Sequence, residues 1–375
     1  MANQQSKNAT SGRIKSWISK AIFNTDPGSY FETLVEGIDP MWSLQSIKAK
    51  VNKIHHETPD VITMNLTPNE NFPGFKSGQH LQLTVDANGI RKTRTFSISS
   101  CPQQWSAQGT IEITIKAIEN GEVTQWIHSH LKPGVIVSLS DPQGAFTLPK
   151  EAENVLYVAG GSGITPIMSQ LRELLHQKFP FKVTLLYYAK SQQDFIFKAE
   201  LQALANRFEN FNVYLVETRS VASGNKLTGH LEESHLQRAT QNTPEHVFVC
   251  GPAGLHEKVI AASQALFGDT PTLHKEQFGL AVLKRSDDKN QLQSITLNHS
   301  HKDIECDSNT TLLEAAEQNG LKPNYGCRMG ICYTCKCKKR SGIVRNAITG
   351  KLSGTDEEDI QLCISIPETS VEIDL

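Results

Sequence analysis

Between residues 47 and 150 apolar side chains recur at every second position. Ala49 and Val51 are followed by Ile62, Met64 and Leu66, and then by Leu81, Leu83 and Val85. Ile111, Ile113 and Ile115 continue the series, and Val135, Val137 and Leu139 close it. A period of two puts one face in a core and the other in water, so each run predicts a half-buried strand. Several short strands with turn signals between them predict an antiparallel barrel. One helix is expected to interrupt the barrel after Gly121, with Val123, Trp126, Ile127 and Leu131 on one face.

The pattern changes near residue 151. Short apolar runs at 155–159, 183–188, 213–216 and 247–249 alternate with helical segments ending near Leu175, around 195–207, and at 253–267. This alternation predicts a parallel, doubly wound α/β sheet. Residues 284–292 are polar and read as a linker. A helix is expected from Thr311 to Asn319. Ile364 and Ile366 alternate as a terminal strand should. Residues 1–12 are polar. Ile14, Trp17, Ile18, Ala21 and Ile22 then recur at helical spacing beside Lys15 and Lys20. That stripe would pack on the protein's own body or make a transient membrane-surface contact. Residues 24–46 carry turn signals and form an irregular lead-in. The expected division is an extension over 1–46, a barrel over 47–150, an α/β domain over 151–283 and an α+β domain over 292–375.

Composition narrows the function classes. The chain has 375 residues and a net charge of −2, which carries no nucleic-acid signature. It has eight cysteines, four of them in one motif, which argues for a reducing compartment rather than a disulfide framework. Neither a membrane-spanning stretch nor a secretory signal is evident, so a cytoplasmic protein is expected, at most peripheral to the inner face of a membrane.

The cysteine motif carries the most specific chemistry. Cys327, Cys332 and Cys335 are spaced C-x4-C-x2-C, and Cys363 follows after 27 intervening residues. This is the plant-type ferredoxin spacing for a 2Fe-2S cluster. Thiolates are soft ligands that suit iron, and Gly326 and Gly330 let the backbone turn closely around the inorganic core. Zinc sites usually pair two close couples, whereas here three thiols crowd together and the fourth is alone. Cys306 and Cys337 read as ordinary strand cysteines. The domain around the motif is expected to be ferredoxin-like, a β-grasp fold.

Three constellations lie upstream. Arg94, Thr95, Phe96 and Ser97 end a barrel strand; an arginine there can grip a phosphate, an aromatic can stack on a flat ring, and a serine can reach the ring's edge. Gly121, Glu122, Val123 and Thr124 open the helix of the barrel, and a helix N-terminus is an anion site. Two phosphate-binding elements in one domain suit a flavin dinucleotide. Gly160, Gly161, Ser162, Gly163, Ile164, Thr165 and Pro166 follow a strand and open a helix, the context in which a glycine-rich turn can hold a pyrophosphate. Pro166 stands where the Rossmann pattern has its last glycine. The acidic ribose ligand of an NAD site is not obvious; Lys190 and Arg219 lean towards the 2′-phosphate of NADPH. Cys250, Gly251 and Pro252 end a later strand, where side chains face the ligand crevice.

In this order the motifs R-x-[YF]-[ST], G-x-x-[ST], G-G-[ST]-G-I-T-P and C-G-P resemble the ferredoxin–NADP reductase superfamily. The resemblance covers about residues 47–375. Phe96 departs from the commoner tyrosine, which removes a hydroxyl but keeps the stacking face. The fused cluster domain resembles the reductase components of oxygenases and desaturases. The resemblance implies hydride transfer from NADH or NADPH to FAD, with Ser97 and Cys250 flanking the transfer and Glu276 supplying or relaying protons. A flavin can take two electrons and release them singly to the cluster. The lead-in over Asp39, Pro40, Met41, Trp42 and Ser43, together with the domain order, looks most like bacterial reductases that serve di-iron fatty-acid desaturases. The alternatives are a reductase for a Rieske-type or multicomponent aromatic oxygenase, and a flavin and iron–sulfur redox sensor that passes no electrons on.

Overall fold

The computed structural model describes residues 39–44, 46–87, 90–119, 121–149, 151–220, 227–277, 292–307, 310–326, 330 and 333–375. The expected N-terminal helix, most of the lead-in and most of the linker lie outside them, as do Cys327 and Cys332.

The alternating runs become strands β1 (Ile47–Thr58), β2 (Val61–Pro68), β3 (His80–Ala87), β4 (Ile90–Ser97), β5 (Ile111–Lys116) and β6 (Ile136–Leu139). They form one sheet in the order β4-β3-β6-β1-β2-β5, every pair antiparallel. The two edges meet where Ile98 bridges Ile113 and the Ser99 N–H donates to the Glu112 carbonyl at 2.8 Å, closing the sheet into a barrel. Its interior is the alternating set, with Ala49, Val51, Met64, Leu66, Leu81, Leu83, Ile111 and Ile113 at zero exposure. Two helices accompany the barrel rather than the one expected. Helix α1 (Pro102–Gln108) starts at a proline and buries none of its residues, so its sequence carries no apolar stripe to announce it. Helix α2 (Glu122–His130) is the expected one.

Strands β7 (Asn154–Gly160), β8 (Lys182–Ala189), β9 (Phe211–Glu217), β10 (His246–Gly251) and β11 (Thr272–Gln277) form a parallel sheet in the order β11-β10-β7-β8-β9. Helices α3 (Ile164–His176), α4 (Lys198–Arg207), α5 (Glu233–Ala239) and α6 (Ala253–Phe267) connect them. Alternate residues of β7 separate two cores. Val155, Tyr157 and Ala159 pack with Ile164, Leu171, Leu201 and Leu204 of α3 and α4, whereas Leu156 and Val158 pack with Leu236, Ala239, Val259 and Ala262 of α5 and α6. The strand order reverses between β7 and β10, and a ligand crevice belongs at the carboxyl ends of those two strands. Helix α5 had no counterpart in the sequence pattern.

The C-terminal part contains β12 (Leu292–Leu297), β13 (Lys302–Asp307), β14 (Lys336–Ser341), β15 (Val344–Asn346), β16 (Glu358–Gln361), β17 (Ser365–Pro367), β18 (Val371–Ile373) and helix α7 (Leu312–Gln318). Five strands form a mixed sheet in the order β13-β12-β18-β14-β16, and β15 pairs with β17. The helix starts as expected: Thr311 caps it, the Glu314 N–H donating to its hydroxyl while the Glu314 carboxylate accepts from the Thr311 N–H. Cys363 differs from the expectation. It sits in a single 3₁₀ turn over Leu362–Ile364, and Ile364, Ser365 and Ile366 are all buried, so no alternation holds there. Buried Lys339 ties down the excursion from β14 to β16, donating to the carbonyls of Gly342, Gly354 and Asp356 at 2.9, 3.0 and 2.7 Å.

Candidate functional site

The glycine-rich turn lies at the end of β7, beside the end of β10, where the strand order reverses. A Cβ on Gly163 would stand 2.2 Å from the Cys250 carbonyl oxygen, so only a glycine lets the two turns pack backbone to backbone. Gly161 has φ +54, and a Cβ there would meet nothing within 4 Å; its backbone faces open space. The Tyr187 hydroxyl of β8 donates to the Gly161 carbonyl at 3.1 Å and accepts from the Ile196 N–H at 3.1 Å, propping the turn from beneath. Helix α3 opens directly from Gly163 with no side-chain cap and no acidic residue in its first turn. The Ile164 N–H bonds back to the Gly161 and Ser162 carbonyls and Pro166 has no N–H, so a pyrophosphate would be met by the glycine turn itself rather than by the first helical turn. Thr165 donates to the Ser162 carbonyl at 3.0 Å, while Ile164 and Pro166 are buried beneath the turn. Lys190 and Arg219 are exposed at the ends of β8 and β9, joined by an Arg219 N–H to Lys190 carbonyl bond of 3.3 Å. Glu217, at the end of β9 and accepting from the Gln192 amide, is an acidic neighbour that the sequence pattern did not single out.

The flavin candidates lie along β4. Thr95 Oγ1 and Ser97 Oγ are buried and have no hydrogen-bond partner among the described residues. Buried hydroxyls are normally paired, so two orphans on one strand fit a cofactor that supplies their partners. Phe96 is half-buried at the rim of the barrel core. At α2, Gly121 is the N-cap without a side-chain cap, and Val123 is buried. Thr124 is committed to the turn itself, accepting from the Ile118 N–H at 3.0 Å and donating to the Gly121 carbonyl at 3.3 Å, which leaves the backbone of this helix end as its anion-facing part. The side chain of Glu122 lies outside the described residues.

Arg94, the expected phosphate ligand, reaches out of the barrel. Its Nη1 donates to the Thr93 carbonyl at 2.8 Å and to the Gly326 carbonyl at 3.4 Å, and its guanidinium lies 5.2 Å from the Tyr325 ring centroid. Tyr325 and Gly326 immediately precede Cys327 in sequence. The barrel strand and the segment entering the cysteine loop are therefore in contact.

The barrel and the nucleotide domain meet through a row of four residues. Ser97 pairs with His80 across β4 and β3, and Cys250 pairs with Glu276 across β10 and β11. His80 Nδ1 lies 2.8 Å from Glu276 Oε1, both side chains being about nine-tenths buried at 8% and 10% exposure. The row thus brings together Ser97, Cys250 and Glu276, the three residues that the sequence motifs put at the reaction. His80 joins them although no motif marked it. Burial, and then the Glu276 charge, push the Cys250 thiol well above its usual range, so it stays a neutral side chain.

Of the four motif cysteines, Cys335 and Cys363 are described, at 2% and 0% exposure. They are held together by the Leu362 N–H, which donates to the Cys335 carbonyl at 3.0 Å. Gln361 donates to the Gly330 carbonyl at 2.9 Å, tying the 3₁₀ turn to the cysteine loop. Two buried thiols on segments joined by a backbone bond fit a cluster of iron and sulfide. Cys306 and Cys337 lie in β13 and β14 as expected, and burial pushes the Cys337 thiol up to about 11, away from the thiolate a ligand needs.

Comparison with known proteins places the same parts in the same order. Residues 48–148 match the oxidoreductase FAD-binding domain, 157–260 the oxidoreductase NAD-binding domain, and 295–368 the 2Fe-2S iron-sulfur cluster binding domain. An NADPH oxidoreductase of Mycobacterium tuberculosis is 30% identical over 346 residues, covering 90% of this chain and 86% of its own length. A glycine betaine monooxygenase reductase subunit of Chromohalobacter salexigens is 28% identical, with 89% and 96% covered. The crystal structure of phthalate dioxygenase reductase superposes with a TM-score of 0.61 at 23% identity, over 88% of this chain and 98% of that one.

Proposed function

This chain belongs to the ferredoxin–NADP reductase superfamily, in the form that carries a C-terminal 2Fe-2S domain, and from that premise we propose that it delivers single electrons to an oxygen-activating partner enzyme. It is an oxidoreductase that uses FAD, a 2Fe-2S cluster and a pyridine nucleotide. The observation that carries the proposal is the reach of Arg94: three residues from Ser97, it bonds the residue that precedes Cys327. The flavin strand and the segment that leads into the cluster loop thus adjoin, which suits transfer between the two cofactors.

Residues 47–150 would hold FAD, 151–283 the nucleotide and 292–375 the cluster. FAD supplies the conversion of a two-electron hydride into single electrons. The chain's own residues do the rest. Arg94 and the backbone at Gly121–Thr124 hold the flavin's phosphates, Phe96 flanks its ring, and the hydroxyls of Thr95 and Ser97 complete its hydrogen bonds. Gly160–Pro166 seat the pyrophosphate, and Cys250–Pro252 press the nicotinamide forward from the sheet edge. Cys327, Cys332, Cys335 and Cys363 ligate the cluster.

The finer reading of the partner is a di-iron fatty-acid desaturase. It is supported by the lead-in, which is seated on the barrel: the Asn71 amide donates to the Ser43 carbonyl at 2.9 Å, while Trp42 and Leu44 stay exposed at 55% and 58%. The likeness to a monooxygenase reductase subunit favours a second reading, a Rieske-type or multicomponent oxygenase. Reconstitution separates them. The purified reductase with NADPH should support oxygen-dependent turnover by a desaturase in native membranes, and give little with a Rieske oxygenase. The reverse outcome selects the second reading, and failure to reduce even cytochrome c contradicts both.

A further inference from the structure

Three polar atoms in the row joining the barrel to the nucleotide domain are buried without a partner among the described residues: Ser97 Oγ, His80 Nε2 and Glu276 Oε2. Buried polar atoms are normally paired, so each of the three calls for a partner. They belong to residues linked in sequence of contact, Ser97 to His80 by strand pairing and His80 to Glu276 by a 2.8 Å bond. We propose that His80 is a positioning residue for hydride transfer, holding the Glu276 carboxylate in register with Cys250 and Ser97 across the domain boundary.

The geometry of His80 is fixed on every side. Its N–H donates to the Gln143 carbonyl at 2.9 Å, and its carbonyl accepts from the Gln143 N–H at 2.8 Å. The next residue is a glycine whose Cβ, if present, would stand 2.9 Å from both Cε1 and Nδ1 of the imidazole. Gly144 thereby leaves the space in which the ring lies. An ionised carboxylate only accepts hydrogen bonds, so with Glu276 ionised the proton of the contact sits on His80 Nδ1. When the ring carries that one proton alone, Nε2 is a bare acceptor and Glu276 Oε2 a second one. Both are buried acceptors without a partner among the described residues.

Glu276 has no comparable support from its own domain. It follows Lys275 on β11, the outermost strand of the parallel sheet, and its described side-chain bond is the one to His80. The carboxylate is thus oriented by a residue of the barrel, 196 positions away in sequence. A misplacement of about 1 Å near reacting atoms can cost about 100-fold in rate, so an orienting contact matters even though it touches no substrate. His80 acts through Glu276 and transfers nothing itself, so the proton and electron balance of the hydride step is unchanged.

The inference rests on the proposed function, and the test keeps the two apart. FAD-loaded wild type, His80→Leu, His80→Asn, Glu276→Gln and the His80→Leu/Glu276→Gln double variant are mixed anaerobically with NADPH, and the limiting rate of flavin reduction is read per bound FAD. His80→Leu should slow that rate by about tenfold, equivalent to about 1.4 kcal/mol, with the half-saturating nucleotide concentration nearly unchanged. His80→Asn, whose amide can replace Nδ1–H, should recover it to within about threefold, and the double variant should be no slower than Glu276→Gln, as coupled residues require. In parallel, ¹⁵N spectra of histidine-labelled, oxidised holoenzyme should show His80 protonated at Nδ1, and Glu276→Gln should lose that fixed tautomer. Wild-type rates in His80→Leu, equal slowing in His80→Asn, or an Nε2–H tautomer in the wild type would each overturn the inference while the functional reading stands. If His80→Leu does not fold, the asparagine variant and the wild-type spectrum still decide. A wild type that NADPH and NADH both fail to reduce sinks the functional reading, and this inference with it.

Discussion

Burial at the end of β10, beside the Glu276 carboxylate, pushes the Cys250 thiol well above its usual range, so a thiolate is not what this cysteine brings to the crevice. Its contribution is shape: a small, neutral side chain at zero exposure, with the Gly163 turn packed against its backbone carbonyl. Charge would enter a nucleotide site elsewhere. Lys190 and Arg219 stand exposed and backbone-bonded at adjacent strand ends, with the Glu217 carboxylate close by in sequence. A charge-assisted bond contributes about 1.5–3 kcal/mol, less at an exposed site. Replacing both cations by glutamine should therefore raise the KM for NADPH by about tenfold and leave that for NADH within about twofold. Steady-state kinetics with both nucleotides check this. A wild type that favours NADH would point instead to Glu217 as the ribose ligand.

Elements built on periodicity were legible in the sequence, and elements built on local or distant contacts were not. The barrel strands followed from alternation because their inward residues, Leu81 and Leu83 among them, really are at zero exposure. Helices α3 and α6 followed from the alternation of strands with helical segments, and the expected helix from Thr311 to Asn319 is α7 with Thr311 as its cap. Helix α1 leaves no sequence signal because none of its residues is fully buried and only Trp105 packs on the barrel core, and α5 because seven residues give too short a stripe. The site divides in the same way. The glycine turn and the cysteine loop are local motifs, and spacing alone revealed them. His80 was invisible because its partner lies on another domain, and Arg94 was read as a phosphate ligand with no sign that it also meets Gly326. The glycine turn offers a direct check. In Gly163→Ala the new methyl would fall 2.2 Å from the Cys250 carbonyl oxygen, so one turn must move. Nucleotide-dependent flavin reduction should fall by about 10- to 100-fold, while FAD content and the cluster's visible spectrum stay at wild-type levels. An unimpaired Gly163→Ala would mean that the two turns do not need to touch.

At the scale of the whole molecule, polar contacts join what the cores keep separate. Arg172 of α3 donates to the Ser99 carbonyl at 2.9 Å and pairs with Glu112 of the barrel at 3.1 Å and Glu200 of α4 at 2.8 Å. Ser169 donates to the Ser100 carbonyl at 2.5 Å, and Gln170 to that of Phe146 at 2.7 Å. The His80–Glu276 bond lies on this same boundary, and Arg94 carries the contact onward to the cluster domain. A fixed order of carriers follows: nucleotide, flavin, cluster, partner. Cys363, fully buried in its 3₁₀ turn, is the place to break that order. Cys363→Ser should lose the cluster and keep FAD. With NADPH as donor, its ferricyanide reduction should stay within about twofold of wild type, because the flavin step comes first, and its cytochrome c reduction should fall by about tenfold or more. Loss of both activities together in a variant that still holds FAD would contradict the account.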